Sequence, residues 1–184
     1  LLGLRRVSRF TRRVGTTATI GSALFFRVPK RVPPAGDALV VAPADGVVSL
    51  ITRAAPPPET GLGDGERMRV SIFLSVLDVH VQFAPVAGTV GAVHYHPGQF
   101  LSADLDKASE VNERNSMVIR PAAGGQDLVV TQIAGLIARR IVCDVAAGDR
   151  LATGQVYGLI RFGSRLDVYL PEGAEPRVHL GQRA

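Results

Sequence analysis

The sequence predicts a mainly β domain, preceded by a basic amphipathic helix and containing one short helix. Three observations carry this expectation. Val, Gly and Pro are common, aromatics are few and Trp is absent, a mix that suits strands and tight turns. Short runs alternate apolar and polar residues with a period of two. Helical periodicity is rare after residue 30. The chain of 184 residues is long enough for one domain with a sizeable core.

The elements follow in order. Residues 1–15 form an amphipathic pattern at about 100° per residue. Arg5, Arg6, Arg9, Arg12 and Arg13 fall within one arc, with Leu4, Val7, Phe10 and Val14 opposite. A helix of this kind suits a membrane interface, arginines toward anionic headgroups; a solvated basic helix and a targeting peptide have the same pattern. Pro29, Pro33, Pro34 and Gly36 mark an extended linker. The arm and linker span 1–38, and the domain spans 39–184. Leu39–Ala42 and Val47–Ile51 read as strands flanking Pro43-Ala44-Asp45-Gly46. Pro56 to Pro58, with Gly61, Gly63 and Gly65, mark a long exposed loop. Arg69–Val76, Val79–Phe83 and Met117–Ile119 read as further strands, and Ser102–Arg114 as the helical candidate of the domain.

Two segments echo each other. Ala87-Gly88-Thr89-Val90 leads to Pro97-Gly98-Gln99-Phe100-Leu101, and Ala134-Gly135-Leu136-Ile137 leads to Ala147-Gly148-Asp149-Arg150-Leu151. The pattern resembles the half-motifs of biotinyl and lipoyl domains, which implies a barrel-like sandwich of two intertwined halves. Those carriers place a modified lysine at a hairpin tip. The only lysines here, Lys30 and Lys107, lack that setting.

The net charge of +5 is unevenly spread. Residues 1–36 hold eight basic residues and no acid, so the remainder is net −3. The basic character belongs to the arm. No aromatic platform accompanies it, which argues against nucleic acid. No apolar run is long enough to span a bilayer. The single cysteine, Cys143, has no internal disulfide partner; alternation with apolar neighbours predicts a buried, inert thiol.

The junction at Gly163-Ser164 admits two readings. Val156, Leu159, Ile160 and Phe162 precede it, and Leu166, Val168 and Leu170 alternate with Arg165, Asp167 and Tyr169 after it. Two strands joined by Gly-Ser do not make a usual hairpin. A glycine bulge beside a serine fits. So does a reactive bond, because glycine tolerates strained dihedrals and leaves its carbonyl open to the following hydroxyl. A serine nucleophile needs a base. Asp45 before Gly46 is a turn aspartate or a functional one, and His80 within Val79-His80-Val81 is a core histidine or a base.

The Gly163-Ser164 segment, running to Pro171, is similar to the processing site of phosphatidylserine decarboxylases in their short bacterial and archaeal form. Pro43-Ala44-Asp45-Gly46, Asp78-Val79-His80-Val81 with Ala84-Pro85-Val86-Ala87-Gly88, and Tyr95-His96-Pro97-Gly98 running to Asn112-Glu113-Arg114-Asn115 strengthen the likeness, as does Phe25-Phe26-Arg27 with Pro29. The resemblance implies that Ser164 attacks the Gly163 carbonyl, converts the amide to an ester and, after elimination, becomes a covalent pyruvoyl group. The products would be a β chain, 1–163, and an α chain, 164–184. The pyruvoyl group would form a Schiff base with phosphatidylserine and release phosphatidylethanolamine, a step of phospholipid biosynthesis. His80 and Asp45 would assist the serine, and His80 would protonate the carbanion. Neither Lys30 nor Lys107 suits a pyridoxal cofactor.

Many members carry a second histidine three residues after the first. Phe83 occupies that position, so His80 serves both steps or another group replaces the missing base. The resemblance also implies attachment to the cytoplasmic face of the cell membrane, an anionic membrane surface as partner and, in many members, a hydrophobic segment ahead of the position of Leu1. It is compatible with a homo-oligomer and with archaetidylserine as substrate. Two other classes fit parts of the sequence: a non-catalytic biotinyl-like carrier or binding module, and a zinc hydrolase using His94 and His96, which share one face of a strand. The family pattern already accounts for His96, so no metal is expected. Asn112, Glu113 and Arg114 would orient Asp45 or a substrate carboxylate, or form a surface salt bridge.

Overall fold

The computed structural model describes residues 9–36, 39–103, 107–136, 140–161 and 163–184. It is mainly β, as the composition predicts. Helix α1 (Arg9–Phe25) is followed by β1 (Val47–Ala54), β2 (Arg67–Leu74), β3 (Val81–Phe83), β4 (Gly88–His96), the single-turn α2 (Ala108–Val111), β5 (Arg114–Pro121), β6 (Leu128–Ile133), β7 (Ile141–Cys143), β8 (Arg150–Leu151), β9 (Val156–Ile160) and β10 (Ser164–Tyr169). The strands form a seven-stranded sheet, ordered β1-β2-β10-β6-β5-β4-β8, and a three-stranded sheet, β3-β9-β7. All pairs are antiparallel. The sheets do not close into a barrel.

The apolar core contains side chains from both sheets. Leu74, Met117, Val130 and Leu166 of the larger sheet pack with Tyr157 and Ile160 of the smaller. Cys143 is half-buried against this cluster. On the opposite face of the larger sheet, Arg69, Ser71, Ser116, Thr131 and Asp167 form a buried polar layer. The residues facing this layer are Ser109 of α2 and Glu59 of the 3-10 turn Pro58–Thr60.

Three sequence expectations require correction. Leu39–Ala42 forms no strand; one bond, from Val41 N–H to the Pro85 carbonyl (3.0 Å), holds it, and Pro43 and the following bends end the extended run. Among the described residues of Ser102–Arg114, the expected helix is the single turn Ala108–Val111. Asn112 is extended (ψ 156°) because its side chain bonds Leu101 and Ala134 instead of continuing the helix. The N-terminal helix runs past residue 15 to Phe25 with its described side chains exposed except Phe25. The Leu4, Arg5, Arg6 and Val7 part of the amphipathic pattern lies outside the described residues. Among those described, no helix is long and apolar enough to cross a membrane.

Candidate functional site

The Gly163–Ser164 bond lies where the chain crosses from one sheet to the other. β9 belongs to the smaller sheet; β10 is a central strand of the larger, between β2 and β6. Ser164, the first residue of β10, pairs with Leu74. It is fully buried, and its Oγ has no hydrogen-bond partner. An unsatisfied buried hydroxyl costs roughly 1–3 kcal/mol, and such a group in a native fold calls for an explanation. Gly163 has φ +60°, in the left-handed region that favours glycine.

His80 stands beside this bond. The Gly163 N–H points at His80 Nε2 across 3.3 Å, and His80 Nδ1 lies 2.9 Å from the Asp78 carbonyl oxygen. A carbonyl only accepts, so Nδ1 carries the proton and Nε2 presents a lone pair. Burial is the largest influence on the ring and pushes its pKa below the ordinary 6.5; the contact with Asp78 opposes this, and the Arg27 charge adds to it. The imidazole is therefore a neutral base at physiological pH.

The surroundings hold His80 in place. Its carbonyl accepts from Ile160 N–H (3.2 Å) and Gln82 Nε2 (2.8 Å). Gln82 accepts from Gln132 (2.9 Å), which accepts from Asn115 (3.0 Å), an uncharged buried relay joining β3, β6 and β5. The turn before His80 is clamped by Asp78, whose carboxylate accepts from Ser75 N–H and Oγ and pairs with Arg183 near the C-terminus. Burial would raise Asp78, but Ser75 and Arg183 outweigh it and hold the carboxyl below its ordinary range. Phe25 at the end of α1 packs on the imidazole, ring centroids 4.3 Å apart, and Arg161 lies 6.0 Å from the Phe26 ring.

The other sequence candidates lie elsewhere. Asp45 is half-buried and pairs with Arg31 of the linker at 2.5 Å; its bond is not to His80 or Ser164. Asp45 and Phe83 line one cleft of about 240 Å³. Phe83 packs with Val79 and Val81. His94 and His96 lie toward the end of β4, half-buried and exposed. Among the described residues no three His, Cys, Asp or Glu side chains are placed to hold a metal ion. Arg114 pairs with Glu59 (2.8 Å), not with Asp45. Lys30 is exposed in the linker, and Lys107 precedes α2.

Several contributors escaped the sequence reading. Asp78 meets the His80 ring through its backbone carbonyl, which leaves no side-chain signature, while its carboxylate clamps the turn. Phe25 was assigned to the arm, yet it covers His80. Gly135 was read as part of a repeat, yet it abuts the Gly163 carbonyl.

A family model described as phosphatidylserine decarboxylase matches residues 22–184. The chain is 59% identical to a phosphatidylserine decarboxylase proenzyme of Mycobacterium marinum over 175 residues, 95% of this chain and 72% of the relative. It is 60% identical to that of Mycobacterium tuberculosis over 176 residues, 96% of this chain and 76% of the relative.

Proposed function

We propose, from the premise that this chain belongs to the phosphatidylserine decarboxylase family, that it cuts itself between Gly163 and Ser164 and decarboxylates phosphatidylserine with a pyruvoyl group made from Ser164. The observation that carries this reading is the fully buried, unpartnered Ser164 hydroxyl beside a left-handed glycine whose N–H points at a neutral histidine.

Ser164 Oγ adds to the Gly163 carbonyl carbon while its proton passes to His80 Nε2. The C–N bond breaks, the Ser164 nitrogen takes a proton and an ester forms. Loss of the Ser164 α-proton expels the Gly163 carboxylate and leaves a dehydroalanine, whose hydrolysis releases ammonia. The product remains at the start of β10, so a group made from Ser164 needs no separate binding pocket. A pyruvoyl group supplies an electron sink for the carbanion left by carbon dioxide. His80 then holds a proton for that carbon. Cleavage leaves β10 within the ladders to β2 and β6, which hold the 21-residue α chain on the β chain. Asp45 would assist from its cleft by setting the local charge near Phe83.

The lipid is reached at an interface. Arg9, Arg12 and Arg13 of α1 suit anionic headgroups, and its exposed Phe10 and Val14, outside the arginine arc, suit the acyl boundary of the cytoplasmic leaflet. In this reading residues 1–38 are the membrane-surface arm and 39–184 the catalytic domain, working in phospholipid biosynthesis.

The test is an intact-mass spectrum of the denatured protein, with and without cyanoborohydride plus an amine. Two fragments split before Ser164, the smaller trapping the amine, are expected. A single full-length chain that traps no amine would sink the reading.

A further inference from the structure

The scissile carbonyl is held from outside its own segment. Gly135 follows β6, next to β10. A Cβ placed on Gly135 would lie 1.8 Å from the Gly163 carbonyl oxygen and 2.9 Å from its carbon, with Ala103 Cβ at 3.3 Å. No side chain fits there, so only glycine lets the carbonyl occupy this place. A Cβ on Gly163 itself would meet nothing within 4 Å. The direction of the Gly163 carbonyl is thus set by the backbone it rests on at Gly135.

Gly135 is itself fixed through Asn112. The fully buried Asn112 side chain donates from Nδ2 to the Ala134 carbonyl (2.8 Å) and the Leu101 carbonyl (2.8 Å), and accepts from Leu101 N–H (3.0 Å). Ala134 N–H donates to the Glu113 carbonyl (2.9 Å). Ala134, the residue before Gly135, is therefore held through both its N–H and its carbonyl. The Asn112 amide is neutral and occupied, which suits positioning and not proton transfer.

We propose that Gly135, fixed by Asn112, is the seat of the scissile carbonyl and a positioning residue for self-cleavage. The inference rests on the self-cleavage reading above. Seating the oxygen leaves one face of the Gly163 carbon open to Ser164 Oγ and keeps the carbonyl from turning away as the C–O bond forms and the C–N bond breaks. A methyl group at 135 displaces the carbonyl by a large part of an ångström, and misplacement by about 1 Å costs on the order of 10²-fold in rate.

The experiment follows the intact mass of the full chain over time in wild type, Ser164→Ala and Gly135→Ala, with circular dichroism and melting of each. A wild-type chain that never splits would defeat the self-cleavage reading itself and the seat with it. If wild type splits, a folded Gly135→Ala is expected to split about 10²-fold more slowly; a folded Gly135→Ala that splits at the wild-type rate overturns the seat. Hydroxylamine, which cuts an ester, is expected to release no fragment from this variant; rapid release would mean that elimination and not attack was slowed, and would overturn it too. Should Gly135→Ala fail to fold, Asn112→Ser removes the two donated bonds without adding a Cβ near Gly163. About tenfold slower splitting supports the seat, and wild-type splitting in a folded Asn112→Ser refutes it.

Discussion

Ser164 and the residues after it form a strand laddered on both sides, with every side chain from Ser164 to Tyr169 buried. Gly163, one bond earlier, has a left-handed backbone and open space where a Cβ would point. The Ser164 side of the bond is thus pre-organised within a sheet, and the Gly163 side is a crossover that His80 and Gly135 approach. The contrast teaches where each requirement of cleavage is met. In the proposed cleavage, rigidity would hold the hydroxyl and later the new chain end, and the freedom to change geometry would reside in the glycine.

Removing the reactive group breaks the comparison most completely. Ser164→Ala is expected to leave a single chain in the mass spectrum and no decarboxylation of phosphatidylserine vesicles, with the fold intact because the change removes only a hydroxyl that has no hydrogen-bond partner. His80→Ala comes next: cleavage followed by mass is expected to slow by about 10²–10⁴-fold, with the strand side unaffected.

The strand side is probed through Arg165, which pairs with Asp167 at 2.9 Å, both side chains almost fully buried, and also bonds Ala103 and Ser109. Arg165→Met leaves Asp167 uncompensated, and denaturant titration is expected to find a loss of about 3–5 kcal/mol. A much smaller loss would mean that β10 is not the rigid half.

The pH dependence sharpens the crossover side. The pKa of His80 is depressed by burial, so its base form persists as pH falls to the ordinary value of 6.5. Cleavage rate is expected to be flat above that pH and to fall only below it. The stability contribution has the same sign, because the unfolded chain binds the proton more readily. It is fully present above 6.5 and is lost as pH falls from there through the folded pKa; melting temperatures across pH check this. The smallest effect is expected at the outer pair: Arg31→Ala, half-exposed against Asp45, changes stability by about 1 kcal/mol or less. If Asp45 assists the serine, Asp45→Asn slows cleavage while changing stability equally little.

Strand content and the basic arm were legible in the residues, and Gly163-Ser164 and His80 stood out there as the candidates on which the proposed cleavage rests. Period-two alternation is a local property, and a Gly-Ser pair between two strand patterns is conspicuous because neither residue belongs in a strand interior. The family likeness supplied the chemical role that periodicity alone left open between bulge and reactive bond. The helix over Ser102–Arg114 was misread because the Asn112 side chain satisfies partners far away in sequence, a competition that no local window contains.

What the sequence by itself determined is the mainly β character and the candidate pair Gly163-Ser164, since strand content follows from side-chain period and the pair stands out at the junction of two strand patterns. Only the tertiary structure decided that β9 and β10 belong to different sheets, that Phe25 covers His80, that Asp45 pairs with Arg31 and that Gly135 abuts the Gly163 carbonyl. These are contacts between residues distant along the chain. Their geometry depends on how sheets pack and cross, a property of the assembled fold and not of any one segment.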